Sequence, residues 1–174
     1  MPQVPVLHIV AGAAPPVLDI AHALRLIRAW GWDPCLTLTP TAARWLDKDL
    51  DELAQVAGRP PRSADRLPDE DKPFPAPAAV LAAPMTFNTL NKWTAGISDT
   101  VALGGLNEAL GARLPIVAAP YFNADLAAHP RYPTSVAVLR RAGVRLVVNG
   151  EGAPLAATGR AWWESVLREL PGRP

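Results

Sequence analysis

The sequence predicts an α/β fold in which one open parallel sheet lies between two layers of helices. Three observations predict it. Five short runs are apolar on both faces, helical patterns separate them, and a chain of 174 residues suits a single domain spanning residues 1–174. Continuous apolarity, rather than alternation, is what a strand covered on both sides needs. Strands that alternate with helices imply βαβ units with right-handed crossovers.

Strands are expected at residues 4–10, 35–39, 80–83, 115–119 and 144–148. The first helix is expected over residues 15–30, where Ile20, Leu24 and Ile27 share one face and Arg25 and Arg28 point away. Pro15 and Pro16 suit its first turn and Gly31 its stop. A further helix starts at Ala42. Others are expected over residues 100–110, 132–142 and 161–170, ended by Gly111, Gly143 and Pro171. Residues 58–77 break the pattern. Prolines at 60, 61, 68, 73, 75 and 77 exclude a helix or a central strand, and a mixed charge run lies among them. A loop of this length, about twenty residues, is either a functional lid or a solvated linker.

Charge and cysteine usage narrow the function classes. Lys and Arg number 17 against 16 Asp and Glu. That balance supplies no basic face for nucleic acid and no polybasic membrane patch. The N-terminal segment lacks a basic region before its apolar run, and no stretch reaches the ~18 apolar residues of a membrane span. Cys35 is the only cysteine, so no internal disulfide is possible and a reducing cytoplasm is the expected compartment. One cysteine with scattered His8, His22 and His129 argues against a structural zinc site, and no metal is expected.

Ligands of open parallel sheets sit beyond the carboxyl ends of the strands. After the first strand comes Ala11-Gly12-Ala13-Ala14. Small residues there let a backbone approach a phosphate, although a tight strand-to-helix turn explains them too. Thr39 and Thr41 after the second strand either cap a helix or bind a phosphoryl oxygen. After the third strand comes Pro84-Met85-Thr86-Phe87-Asn88-Thr89, running on through Asn91, Lys92, Asp99 and Thr100. This density of polar groups exceeds what capping needs and is expected to cradle a planar or anionic ligand. Asn123, after the fourth strand, presents donors and acceptors to a carboxylate or amide, or serves a turn.

The run Pro84 to Lys92, followed by Gly96-Ile97-Ser98-Asp99-Thr100, resembles the PASANT signature of the homo-oligomeric flavin-containing cysteine decarboxylases. That family includes phosphopantothenoylcysteine decarboxylase and lantibiotic peptidyl-cysteine decarboxylases. Residues 10–14 and 38–45 are similar to its first two turns, and Pro120-Tyr121-Phe122-Asn123 to its PxMN substrate clamp. The resemblance implies a Rossmann-like fold and FMN as cofactor. It implies a homotrimer or dodecamer acting on a small-molecule or peptide carboxylate. Carried over, it places Gly12, Ala13 and Thr39 at the FMN phosphate. Pro84, Met85, Thr86, Asn88 and Thr89 embrace the flavin, and Asn123 orients a substrate carboxylate.

The chain departs from the family at the catalytic histidine. Counting back fourteen residues from Pro84 reaches Glu70, within the proline-rich stretch. Glu70 or Asp71 would have to carry the proton there, which requires a raised carboxyl pKa. The clamp also differs, with Phe122 for the family's Met and Leu126-Ala127 for its Met-Trp pair. Two functions therefore compete: an FMN enzyme that oxidatively decarboxylates a cysteine-derived carboxylate or peptide C-terminal cysteine, and a non-catalytic FMN-binding partner or regulatory subunit. A histidine donated by a different chain keeps a heteromer open. A prenyl-FMN synthase-like relative shares the fold, but Asn88-Thr89 and Asn123 fit the decarboxylases better.

Overall fold

A computed structural model describes residues 4–172. Five parallel strands stand in the order β2-β1-β3-β4-β5. They are β1 (Val6–Ala11), β2 (Asp33–Leu38), β3 (Ala79–Met85), β4 (Ile116–Pro120) and β5 (Arg145–Leu146). Each expected strand is present. The last is only two residues long, and the third runs on through Pro84 and Met85, which belong to the strand rather than to the turn beyond it.

A 3-10 turn at Pro15–Asp19 leads into α1 (Ile20–Ala29), which buries Ile20, Ala23, Leu24 and Ile27. The helices that follow are α2 (Pro40–Trp45), α3 (Leu50–Ala57), α4 (Phe87–Thr94), α5 (Val101–Gly111), α6 (Ala124–Ala127), α7 (Arg131–Arg141) and α8 (Gly159–Leu167). Gly31 and Gly143 take positive φ and end their helices as expected. Gly111 does not: α5 continues through it, and the left-handed position falls two residues later on Arg113.

Strand periodicity divides the core between two faces. Leu7, Ile9, Leu36, Leu38 and Leu81 pack with α1, α3 and α8 on one face, while Val10, Val80, Ala82 and Ile116 pack with α4, α5 and α7 on the other. The proline-rich stretch is docked rather than free. Arg62 accepts from the Leu38 N–H at 2.7 Å and donates to the Leu36 carbonyl at 2.8 Å, adding one rung beside β2. Farther on, His8 Nε2 lies 2.9 Å from the Pro75 carbonyl, and the Ala78 N–H donates to Val6. Cys35 is buried, and burial pushes its thiol pKa up. The Arg59 guanidinium forks onto its sulfur and the Asp33 carboxylate.

Trp163 closes the first face. It is fully buried, packs edge-on to Trp162 at 5.0 Å, and donates Nε1–H to the Pro16 carbonyl at 2.7 Å. Trp163→Phe would strand that carbonyl, so urea denaturation is expected to show a loss of about 1–3 kcal/mol.

Candidate functional site

The strand order reverses between β1 and β3, and the turns beyond these strands are stitched together. The Gly12 N–H donates to the Pro84 carbonyl at 2.8 Å, the Thr39 N–H to Ala11 at 3.0 Å, and the Tyr121 N–H to Met85 at 2.9 Å. Four strand ends are therefore side by side. Gly12 suits the close approach: a Cβ there would crowd Thr86 Cγ2 at 3.0 Å and the Pro84 oxygen at 3.1 Å. Among the described residues, the N–H groups of Ala13, Phe87 and Asn88 have no hydrogen-bond partner. The last two open α4, where the helix dipole adds positive potential.

The expected site residues fall into distinct positions. Gly12 is buried and Ala13 half-buried, directly after β1. Thr39 Oγ1 accepts from the Ala42 N–H at 3.3 Å and caps α2, which starts at Pro40 rather than Ala42. Met85 is buried in the core and its carbonyl is engaged by Tyr121. Thr86 Oγ1 accepts from the Thr89 N–H at 3.2 Å, and its hydroxyl donates to Thr89 Oγ1 at 3.0 Å. Asn88 is exposed, and its amide side chain makes no hydrogen bond among the described residues. Asn123 Oδ1 accepts from the Leu126 N–H at 3.0 Å and caps α6. Glu70 is exposed in the loop. Its carboxylate accepts from the Leu67 N–H at 2.8 Å and makes no bond to a strand-end turn.

The polar density after β3 has a structural cause that the sequence does not disclose. Residues 87–94 form a helix, so Thr86 and Thr100 are its cap and that of α5. Asn91 Oδ1 accepts from the buried Ser135 hydroxyl at 2.8 Å, and Thr94 donates to Ser135 at 3.2 Å, tying α4 to α7. Lys92 pairs with Asp99. Of the Thr, Asn, Lys and Asp side chains in this run, Asn88 alone has none of these internal bonds.

An aromatic wall stands beside these turns. Phe87 meets the edges of Phe122 and His129 at 5.4 Å each, and Phe122 meets Tyr132 at 5.3 Å. His129 follows α6, and its ring contact with Phe87, distant in sequence, ties it to the turn beyond β3. A separate cleft of about 690 Å³ lies lower on the sheet, between the proline-rich loop and α5, with His8, Thr37 and Gly104 among its lining.

Parallel βαβ connectivity, a strand-order reversal and glycine-tight turns define a Rossmann-like fold. A family model described as Flavoprotein matches residues 67–166, and the chain belongs to that family. A cysteine/cysteine sulfinic acid decarboxylase from an unknown prokaryotic organism is 34% identical over 94 residues, covering 52% of this chain and 25% of the relative. The chain thus spans about a quarter of that relative's length. Among solved structures, the FMN-dependent cysteine decarboxylase SpaF is 24% identical with a TM-score of 0.71, covering 95% of this chain and 97% of its own. TvaF, an FMN-dependent cysteine decarboxylase from thioviridamide biosynthesis, is 19% identical with a TM-score of 0.74, covering 95% and 98%. A dodecameric FMN-dependent Ubix-like decarboxylase from Escherichia coli is 17% identical with a TM-score of 0.69, covering 87% and 80%. At these identities the solved structures show a shared fold.

Two outcomes follow from the geometry. Gly12→Ala is expected to lower stability by about 1–3 kcal/mol in urea denaturation, because both crowding atoms belong to packed turns. Burial, aided by Arg59 and opposed by the Pro75 carbonyl, lowers the His8 pKa below its usual 6.5. Between that lowered value and 6.5, the unfolded chain binds a proton that the folded chain refuses. Stability therefore falls as pH drops through this window, and His8→Gln is expected to flatten the fall in denaturation curves.

Proposed function

We propose that this chain binds FMN at the carboxyl ends of β1, β2 and β3 and acts on a cysteine-derived carboxylate. The observation that carries the reading is the Gly12–Pro84 closure, which sets the free Ala13 amide beside the unpartnered start of α4. Family membership and the FMN-dependent relatives of the same fold support it. The residues suit the group. Ala13 and the Thr39 turn offer small side chains and amide donors for a phosphate. Pro84, Met85, Thr86 and Thr89 form the firm floor, and the free Asn88 amide supplies donors and an acceptor for a polar ring edge.

Bound FMN would supply the two-electron acceptor that converts a cysteine thiol carbon to a thioaldehyde, whose C=S takes up the electron pair as carbon dioxide leaves. The chain's own task is to hold the substrate carboxylate, through Asn123, and to keep the aromatic wall against water. Glu70 and Asp71 are the loop candidates for moving the thiol proton. Both are solvent-exposed, and this keeps the second reading, a non-catalytic FMN-binding partner subunit, in contention. The dodecameric relative supports a homo-oligomer, a homotrimer or dodecamer in our reading. No helix among the described residues is long and apolar enough to cross a membrane, and with Cys35 as a buried free thiol we assign the chain to the cytoplasm.

The test is the visible spectrum of the purified protein titrated with FMN. Wild type is expected to turn yellow with bound flavin. Asn88→Ala should bind at least about tenfold more weakly, with an unchanged circular dichroism spectrum. A variant that stays fully yellow would remove the assignment. Bleaching of the flavin by cysteine-terminal peptides, with release of carbon dioxide, would select the enzyme over the partner subunit.

A further inference from the structure

Asn123 and His129 flank the short α6, and the bonds each already makes fix what each still offers. Asn123 Oδ1 is taken by the Leu126 N–H at 3.0 Å, so the free end of its amide is the nitrogen, a donor with two hydrogens. His129 Nδ1 accepts the Arg131 N–H at 3.0 Å. A ring nitrogen that accepts carries no hydrogen, so the neutral imidazole bears its hydrogen on Nε2. Neither Asn123 Nδ2 nor His129 Nε2 has a partner among the described residues, and both side chains are exposed.

The two donors belong to one locality. Phe122, the residue before Asn123, and His129 each lie edge-on to Phe87 at 5.4 Å, and Phe87 immediately precedes Asn88. The first turn of α7 follows His129 and contributes positive potential. Asp125 and Arg131 are the exposed charges of the same segment, one of each sign.

We infer that His129 is a carboxylate-binding residue, its Nε2–H acting with the Asn123 amide hydrogens as a two-donor seat for the carboxylate of the substrate. This rests on the reading of the strand ends as the FMN and substrate site. In this tautomer His129 donates a hydrogen bond and is not the base that takes the thiol proton. The seat recognises a free carboxylate, whether that of an amino acid or of a peptide terminus, and discriminates against its neutral amide.

Calorimetry on the FMN-loaded protein tests this with thiol-blocked probes that cannot be oxidised. The probes are S-methylcysteine and an acetylated tripeptide ending in S-methylcysteine, each as acid and as carboxamide. Wild type is expected to bind one of the acids at least about tenfold more tightly than its amide. Which acid it is separates the free amino acid from the chain terminus. His129→Ala should lose about tenfold in affinity for the acid with no change for the amide, and His129→Gln, which keeps an N–H donor, should recover part of the loss. Flavin absorption should match wild type in both variants. Preference for the acid that survives His129→Ala, or its absence in yellow wild-type protein, overturns this inference alone. A wild-type protein that takes up no FMN overturns the site reading with it.

Discussion

The bond from the Gly12 amide to the Pro84 carbonyl joins the ends of β1 and β3 at the one place where the strand order reverses. Its net energy, about 1 kcal/mol, is ordinary. Its geometric effect is not. A bond of 2.8 Å brings the first turn so near Thr86 that a Cβ at position 12 would crowd both Thr86 and the Pro84 carbonyl. The Ala13 amide and the opening of α4 are then held close together with no protein acceptor between them. The site is defined by this closure more than by any single polar side chain.

Capping determines what the polar side chains have left. Thr39, Thr86 and Asn123 each use an oxygen on a helix N-terminus. Such a cap stabilises its helix by about 1 kcal/mol. It also orients the residue, because an Asn with its oxygen fixed presents only its nitrogen. The same group thus builds the element and sets the sign of the hydrogen bond offered outward. Capping and binding are not alternatives at these strand ends.

The sheet was legible because buried parallel strands leave continuous apolar runs, and residues 80–83 or 115–119 have no other plausible state. The positions of the turns followed from the same runs. The four-residue α6 was not legible, and neither were two longer helices. In α3 only Leu53 and Ala57 are fully buried, and α4 sets Leu90 and Trp93 among polar neighbours, so neither shows a sustained stripe. Without α4 in view, the caps at Thr86 and Thr100 and the bridge to Ser135 could not be told apart from groups free to meet a ligand. Asn88 and Gly12 could be singled out from sequence because turn chemistry is local. His129 was not assigned a role, since its place depends on a ring contact with Phe87 and its tautomer on a backbone bond, neither of which is written in spacing.

The docked proline-rich stretch has a consequence for how copies of this chain can meet. Strands at the margin of a sheet invite further strands, and both margins here are closed to that. Beside β2, a single rung at Arg62 is followed by a run whose prolines have no amide hydrogens to extend a ladder. At the opposite margin, β5 is two residues long and too brief to act as a template. Growth of the sheet from one molecule into the next is blocked at either side. Any association of copies would then fall to the helical faces and the strand-end rim, where side chains rather than backbone choose the neighbour.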